Sequence, residues 1–147
     1  PTNLYGSFDN FDLQSSHVLP AMLRKFHEAT INNHSDVTLW GSGTPMREFL
    51  FVDDMAEAVV FALENNLPEY LYNVGTGKET SVNFLTQCLV KASAIATSIE
   101  YGPARKGEQK RSVIDSEKLL KRFGWKPGVS VEEGLLETFN YFKNQTT

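Results

Sequence analysis

The residues best suited to chemistry lie in one glycine-containing segment, Trp40 to Asp54, which reads W-G-S-G-T-P-M-R-E-F-L-F-V-D-D. Gly41 and Gly43 permit tight or positive-φ turns, so this loop can lie close against a ligand. Arg47 carries a planar fork of donors that matches a phosphate or carboxylate, and Trp40 adds a flat apolar face. These residues predict one edge of a site for a flat, polar, anionic ligand. The alternative is a surface turn with a solvated arginine and a core tryptophan.

Composition places the chain among ordinary globular proteins and argues against some partners. It has 147 residues, 41% hydrophobic and 22% charged, which is enough for one domain with a genuine core. The net charge of −4 argues against a nucleic-acid partner, and no apolar run approaches the ~18–20 residues that span a bilayer. The single cysteine, Cys88, excludes an internal disulfide and fits a reducing compartment, so we expect a cytoplasmic protein.

Strand and helix signals alternate along the chain, which predicts an α/β fold. Strands are predicted near residues 1–6, 37–40, 48–52, 70–74 and 97–101. Helices are predicted to start at Ser15 or Ser16, at Asp53 or Asp54, at Thr80 or Ser81 and at Ser130, with a further short one ending at Gly124.

The helices also carry predictions about capping and burial. Asp54 with Glu57, and Ser130 with Glu133, have the spacing of a capping box. The helix from about residue 53 to Glu64 is apolar nearly all round, which predicts burial on more than one side. The residues expected to face inward in the other helices are Leu19, Met22, Leu23, Phe26, Phe84, Leu85, Cys88, Leu89, Leu135, Phe139 and Phe142.

Several catalytic motifs are missing from this sequence. It contains no G-x-G-x-x-G turn for a dinucleotide and no G-x-S-x-G nucleophile elbow. Gly75-Thr76-Gly77-Lys78 is only superficially like a phosphate loop, because Tyr72 stands at the leading glycine position and Glu79 follows the lysine. The histidines lack metal-ligand spacing, so no metal site is predicted. None of the tyrosines has a lysine four positions later.

Three segments of the sequence carry a family resemblance: P-T-N-L-Y-G, S-H-V-L-P-A-M-L-R-K-F-H-E-A and W-G-S-G-T-P-M-R-E-F-L-F-V-D-D-M-A. They resemble GDP-L-fucose synthases, NADP-dependent epimerase/reductases of the extended short-chain dehydrogenase family. Y-N-V-G-T-G, the K-G-E loop and F-G-W-K-P are shared more widely among family members that act on nucleotide sugars. The resemblance implies a Rossmann-type α/β enzyme whose C-terminal, substrate-binding lobe is this chain, with the main dinucleotide-binding half missing.

The resemblance also implies roles for particular residues. His17 would be the acid that protonates the sugar during epimerisation, and Glu108 is a stand-in for a carboxylate that the family places in the Arg105–Arg111 loop. Lys25 stands where many members have an arginine. The residues implied for NADP(H) are Pro1, Thr2, Asn3, Leu4 and His17, and those implied for the GDP-sugar are Asn3, Lys25, Trp40, Arg47 and Glu108.

The same resemblance sets expectations for the whole protein. Residues 1–16 would be a strand end and loop at the nicotinamide side, and residues 17–147 the substrate lobe. A serine, a Tyr-x-x-x-Lys pair, a cysteine and the helices of a homodimer would lie upstream, so this chain alone is expected to be inactive. The implied reaction converts GDP-4-keto-6-deoxy-D-mannose to GDP-L-fucose. The alternatives are another nucleotide-sugar epimerase or dehydratase of the family, and a non-catalytic nucleotide-sugar-binding module.

Overall fold

The computed structural model describes residues 1–68, 71–95, 98–104, 107 and 109–146. It shows the predicted α/β class, with short strands alternating with helices. The strands are β1 (Asn3–Tyr5), β2 (Asp36–Trp40), β3 (Met46–Arg47), β4 (Phe49–Phe51), β5 (Thr80–Ser81), β6 (Ser98–Gly102) and β7 (Arg111–Ser112). The helices are α1 (Val18–Asn32), α2 (Val52–Glu64), α3 (Val82–Ser93), α4 (Glu117–Phe123) and α5 (Val131–Thr146).

In the part of the chain that the structure describes, the strands form three small sheets. β1 pairs with β4 in parallel, with Asn3 opposite Phe49, and β2 pairs with β6 in parallel, with Asp36 opposite Ser98. The third sheet has the order β5-β3-β7, antiparallel on the β5 side and parallel on the β7 side. A single residue, Glu48, separates β3 from β4 and therefore connects two of these sheets.

The main core lies where α1, α3 and α5 pack together. Leu23, Phe26, Leu85, Leu89 and Leu135 are fully buried there, which confirms most of the predicted inward positions. Gly134 on α5 permits this packing, because a Cβ at that position would overlap the Tyr5 hydroxyl. The predicted burial of Phe84 is wrong: its side chain is 36% exposed beside a groove between α3 and α5.

Helix α1 starts without the serine cap that its sequence predicted. Its N-cap residue is His17, and no side chain caps the helix. The Ser15 hydroxyl donates to the Asp12 carboxylate instead, at 2.9 Å. Pro20 occupies the third helical position and has no N–H, which removes one of the two donors that a cap would accept.

Helix α2 likewise lacks the predicted Asp54–Glu57 capping box. It begins at Val52, and Phe51 is its N-cap residue. The Asp54 carboxylate is 3% exposed and accepts the backbone N–H groups of Gly128 (2.8 Å) and Val129 (3.1 Å). Asp54 therefore ties α2 to the segment that leads into α5. By contrast, the predicted Ser130–Glu133 box is confirmed by reciprocal bonds of 3.1 and 3.3 Å.

The predicted burial of α2 on more than one side is wrong for the described chain. Ala56, Val59, Val60 and Leu63 form an apolar stripe at helical spacing, and all four are exposed, Leu63 to 78%. Only Asp54 and Ala58 are buried on this helix. The reason is that α2 packs mainly against β4 and β1, which cover just one of its faces.

The predicted strand at residues 70–74 is also not formed in residues 71–74, the part of it that the structure describes. Val74 is buried, and its carbonyl accepts the backbone N–H of Thr2 at 3.2 Å, whereas Leu71 is 78% exposed. One such bond holds this segment beside β1 without making a ladder.

Replacing Asp54 with asparagine should destabilise the fold. An amide retains one acceptor but turns a donor toward a backbone N–H, so we expect a loss of about 1–3 kcal/mol in the free energy of unfolding. Asp53→Asn is the matched control, since Asp53 is exposed in the same helical turn. Urea unfolding of both variants measures the difference, and equal stabilities would contradict the tie between α2 and the α4–α5 connection.

The stability of the chain should fall in mild acid through His27. Burial lowers the pKa of His27 below its ordinary 6.5, Glu28 opposes this and Lys143 adds to it. The ring lies against Phe139 and Phe142, with Nε2 2.9 Å from the Thr146 hydroxyl. The folded state favours the neutral imidazole of His27. The stability that this gives the fold is therefore fully present above the ordinary pKa and is lost as the pH falls below that pKa. Melting temperatures at about pH 8 and about pH 5.5 should therefore differ less for His27→Gln than for the wild type. The exposed His34→Gln variant should behave as wild type.

Candidate functional site

Three of the predicted site residues line one cavity. His17 precedes α1, Lys25 lies on α1, and Trp40 ends β2, and together they surround a cavity of about 210 Å³. Its other lining residues are mostly apolar: Leu13, Ser16, Val18, Ala21, Met22, Leu39 and Val82. A mostly apolar wall with a few polar groups at its mouth is typical of a small-molecule site.

The Lys25 side chain is fixed in this cavity by its neighbours on β2. Its Nζ donates to the Thr38 carbonyl at 2.8 Å and lies 5.8 Å from the centre of the Trp40 ring, within cation–π range. Trp40 is 55% exposed, so the structure rejects the alternative of a core tryptophan. The indole and the ammonium group together form a flat, positively charged patch at the end of β2.

His17 is exposed, and its backbone is extended at the N-cap position of α1. The loop before it contains Asp9, which the sequence analysis missed. Partial burial raises the pKa of the Asp9 carboxyl, while the Asn10 N–H and a protonated His17 oppose that shift. A carboxylate therefore lies close enough to His17 for their charges to interact. In the sequence, the only sign of this proximity is that Asp9 lies in the polar loop before α1.

Two further predicted site residues, Asn3 and Arg47, meet around Glu48 and do not line this cavity. The Asn3 side-chain amide donates to the Glu48 carbonyl at 2.8 Å, and the Thr2 hydroxyl donates to the same oxygen at 3.2 Å. Arg47 sits opposite Thr80 on one side and Ser112 on the other. Its Nη1 donates to the Met46 carbonyl at 2.9 Å. Strands β5 and β7 thus hold the backbone of Arg47 from both edges.

The Glu48 carboxylate is the second residue that the sequence analysis missed. It is completely buried, and it accepts the backbone N–H groups of Gly77 and Ile114, each at 2.8 Å. The Thr76 hydroxyl lies at 3.4 Å. A Cβ at Gly75 would overlap Glu48 Oε1, which explains the glycine. The G-T-G turn that superficially resembles a phosphate loop therefore encloses a carboxylate of the protein itself.

Other predicted residues lie at the edge of this region or outside it. Glu108 lies outside the described residues, as do Arg105 and Lys106. Arg111, at the other end of that loop, forms an ion pair with Glu79. Leu4 packs against the smaller core cluster around Leu50, so the structure gives it a packing role, and Pro1 is exposed.

The described ranges contain neither a cluster of metal ligands nor a membrane-spanning helix. Within them, no three histidine, cysteine or acidic side chains are grouped as metal ligands. No helix there is both long and apolar enough to cross a bilayer.

Parallel strand pairs with helices between them define a Rossmann-type α/β fold. The sequence profile of the NAD dependent epimerase/dehydratase family matches residues 1–75, and the chain belongs to that family.

Individual relatives agree with this assignment. The GDP-L-fucose synthase of Escherichia coli strain K12 is 42% identical over 97% of the chain, which spans 47% of that protein. UDP-glucose 4-epimerase of Thermotoga maritima, solved with UDP-glucose, is 32% identical with a TM-score of 0.84, covering 99% of this chain and 45% of its own. An NADP-bound GDP-L-fucose synthetase of Naegleria fowleri is 26% identical with a TM-score of 0.81, covering 99% and 44%. The chain therefore spans less than half the length of these relatives.

Proposed function

We propose that this chain forms the nucleotide-sugar-binding wall of an NADP-dependent epimerase/reductase that makes GDP-L-fucose from GDP-4-keto-6-deoxy-D-mannose. The observation that carries the proposal is the cavity that brings His17, Lys25 and Trp40 together at the ends of α1 and β2. The likeness to the E. coli synthase over nearly the whole chain supports the choice of sugar nucleotide.

The chemistry assigned to His17 is proton return during epimerisation. A ketone at C4 acidifies the hydrogens at C3 and C5, so a base can remove a proton from one ring face and an acid can return it to the other. His17 is exposed at the mouth of the cavity, where an imidazole can reach a bound ring.

Anchoring of the diphosphate is assigned to Arg47, and packing against the sugar nucleotide to Trp40. Arg47 presents a guanidinium from a strand that is paired on both edges, which limits its freedom before a ligand binds. Lys25 adds positive charge beside Trp40 but already donates to a backbone carbonyl. Binding energy from these remote groups keeps the ring in place through several steps.

The cofactor proposed is NADP(H), and the end of β1 suits its nicotinamide part. The side chains of Thr2 and Asn3 both donate to the Glu48 carbonyl, which fixes this strand end and leaves the Asn3 amide oxygen as an acceptor for a ligand. NADPH supplies the hydride that reduces the C4 ketone. The N. fowleri relative, solved with NADP, supports this choice.

A second candidate is a UDP-sugar epimerase, favoured by the likeness to the T. maritima enzyme. A non-catalytic binding module is the third, because no tyrosine of this sequence is followed by lysine four residues later. A homodimer built through helices upstream, a cytoplasmic location and the inactivity of the chain by itself stay predictions. The division at residues 16 and 17 also stays one.

Replacing Arg47 with alanine should weaken GDP binding by the chain. Loss of charge-assisted bonds to phosphate costs about 1.5–3 kcal/mol, so the dissociation constant should rise at least about tenfold while the melting temperature is retained. Titration calorimetry with GDP measures this, and exposed Arg122→Ala on α4 is the control. An unchanged dissociation constant for GDP would show that Arg47 is a solvated surface residue that does not bind the diphosphate. Titration with UDP in parallel separates the two sugar nucleotides, since tighter UDP binding would favour the epimerase alternative.

Replacing His17 with asparagine in the longer enzyme should slow epimerisation and spare reduction. Loss of a positioned acid costs ~10²–10⁴ in rate, so deuterium uptake from solvent at C3 and C5 should fall by that factor. Ketone reduction without inversion would then yield a 6-deoxy sugar of the wrong configuration, detected by NMR of the products. His34→Asn, in the exposed turn after α1, should leave both steps intact. Normal uptake in the His17 variant would leave this residue with a structural role only.

A further inference from the structure

The two small sheets next to Arg47 are joined through one buried acidic residue, Glu48. Glu48 follows Arg47 directly and stands between the β5-β3-β7 sheet and the β1-β4 sheet. Its backbone N–H donates to the Ser112 carbonyl at 3.1 Å, and its own carbonyl accepts from Thr2 and Asn3. The backbone of Glu48 alone therefore connects β7 with the end of β1.

The side chain of Glu48 adds two more connections. Oε1 accepts the N–H of Gly77, and Oε2 accepts the N–H of Ile114, both at 2.8 Å. The first bond holds the turn that leads toward β5, and the second holds the segment just after β7. These are the two strands that flank Arg47 on β3. One carboxylate therefore holds both neighbours of the Arg47 strand.

We propose that Glu48 is the positioning residue for Arg47: its carboxylate fixes the strands on both sides of the guanidinium that anchors the ligand diphosphate. A buried carboxylate with its donors aligned holds a local arrangement far more rigidly than a single neutral bond, because each unmet donor would be costly. The anchoring role of Arg47 rests on the proposed function. The mechanical link between Glu48 and Arg47 does not.

The variant that tests this link is Glu48→Gln, which keeps the shape of the side chain. A carboxamide offers one oxygen and one NH₂ group, so either Gly77 or Ile114 would face a donor instead of an acceptor. The neighbouring strand must then shift, while the Asn3 bond to the backbone carbonyl is retained. Glutamine should therefore release Arg47 selectively.

Gly75→Ala approaches the same junction from the other side. Its new Cβ would overlap Oε1 and push the carboxylate away with the charge retained, so it carries the test if Glu48→Gln does not fold. Thr138→Val is the matched control. Thr138 is fully buried and its hydroxyl donates to Gly134 within α5, away from this junction.

The first measurement needs no ligand. In ¹⁵N-labelled chain, the Arg47 Nε–H signal should become more mobile in Glu48→Gln and in Gly75→Ala and keep its wild-type relaxation in Thr138→Val. The Asn3 side-chain amide signals serve as an internal reference and should stay in place. An Arg47 signal that is unchanged while the Gly77 and Ile114 amides shift would overturn the proposal.

The second measurement is a double-mutant cycle on GDP binding. Glu48→Gln should weaken GDP binding about fivefold when Arg47 is present and by less than about 1.5-fold in an Arg47→Ala background. Equal losses in both backgrounds would show that Glu48 does not act through Arg47. A wild-type chain that binds no GDP would refute the proposed function, and the relaxation of the Arg47 signal would still decide the positioning role.

Discussion

The structure depends on the burial of one carboxylate, that of Glu48. A buried ionised group is costly unless its oxygens are hydrogen-bonded, and here both oxygens accept backbone N–H groups. Those donors come from segments far apart in the sequence, so the bonds form only after the chain has folded around them. The turn at Gly75 lacks a side chain because the carboxylate occupies that space. The junction between the β1-β4 sheet and the β5-β3-β7 sheet follows from this one requirement.

The candidate site divides into two parts with different supports. His17, Lys25 and Trp40 stand on α1 and β2, which the large core beneath α1, α3 and α5 holds in place. Asn3 and Arg47 stand on short strands of two or three residues, too short to be stable from their ladders alone. Side-chain bonds supply the missing rigidity there. The first part thus rests on apolar packing, and the second on polar contacts added to the buried apolar residues of β1 and β4.

Local features of the fold could be predicted from the sequence, whereas distant partners could not. The left-handed glycine at position 124 and the Ser130–Glu133 box depend on a few neighbouring residues, and both are present. Asp54 has the spacing of a cap, yet its carboxylate reaches Gly128, 74 residues away. The same holds for Glu48, whose surroundings in sequence, an arginine and a phenylalanine, give no sign of its partners. Trp40 is predicted from its residue type beside the glycine loop, and His17 and Lys25 only through the resemblance. The cavity that the three share emerges only from the fold.

The apolar stripe of α2 has a consequence for how this chain behaves in water. The stripe exposes a continuous apolar surface to solvent, formed by Ala56, Val59, Val60 and Leu63. Burying each 100 Å² of such a surface would contribute about 2.5 kcal/mol. Any state that covers the stripe is favoured over the free chain. We therefore expect the chain to self-associate through this face of α2 as its concentration rises.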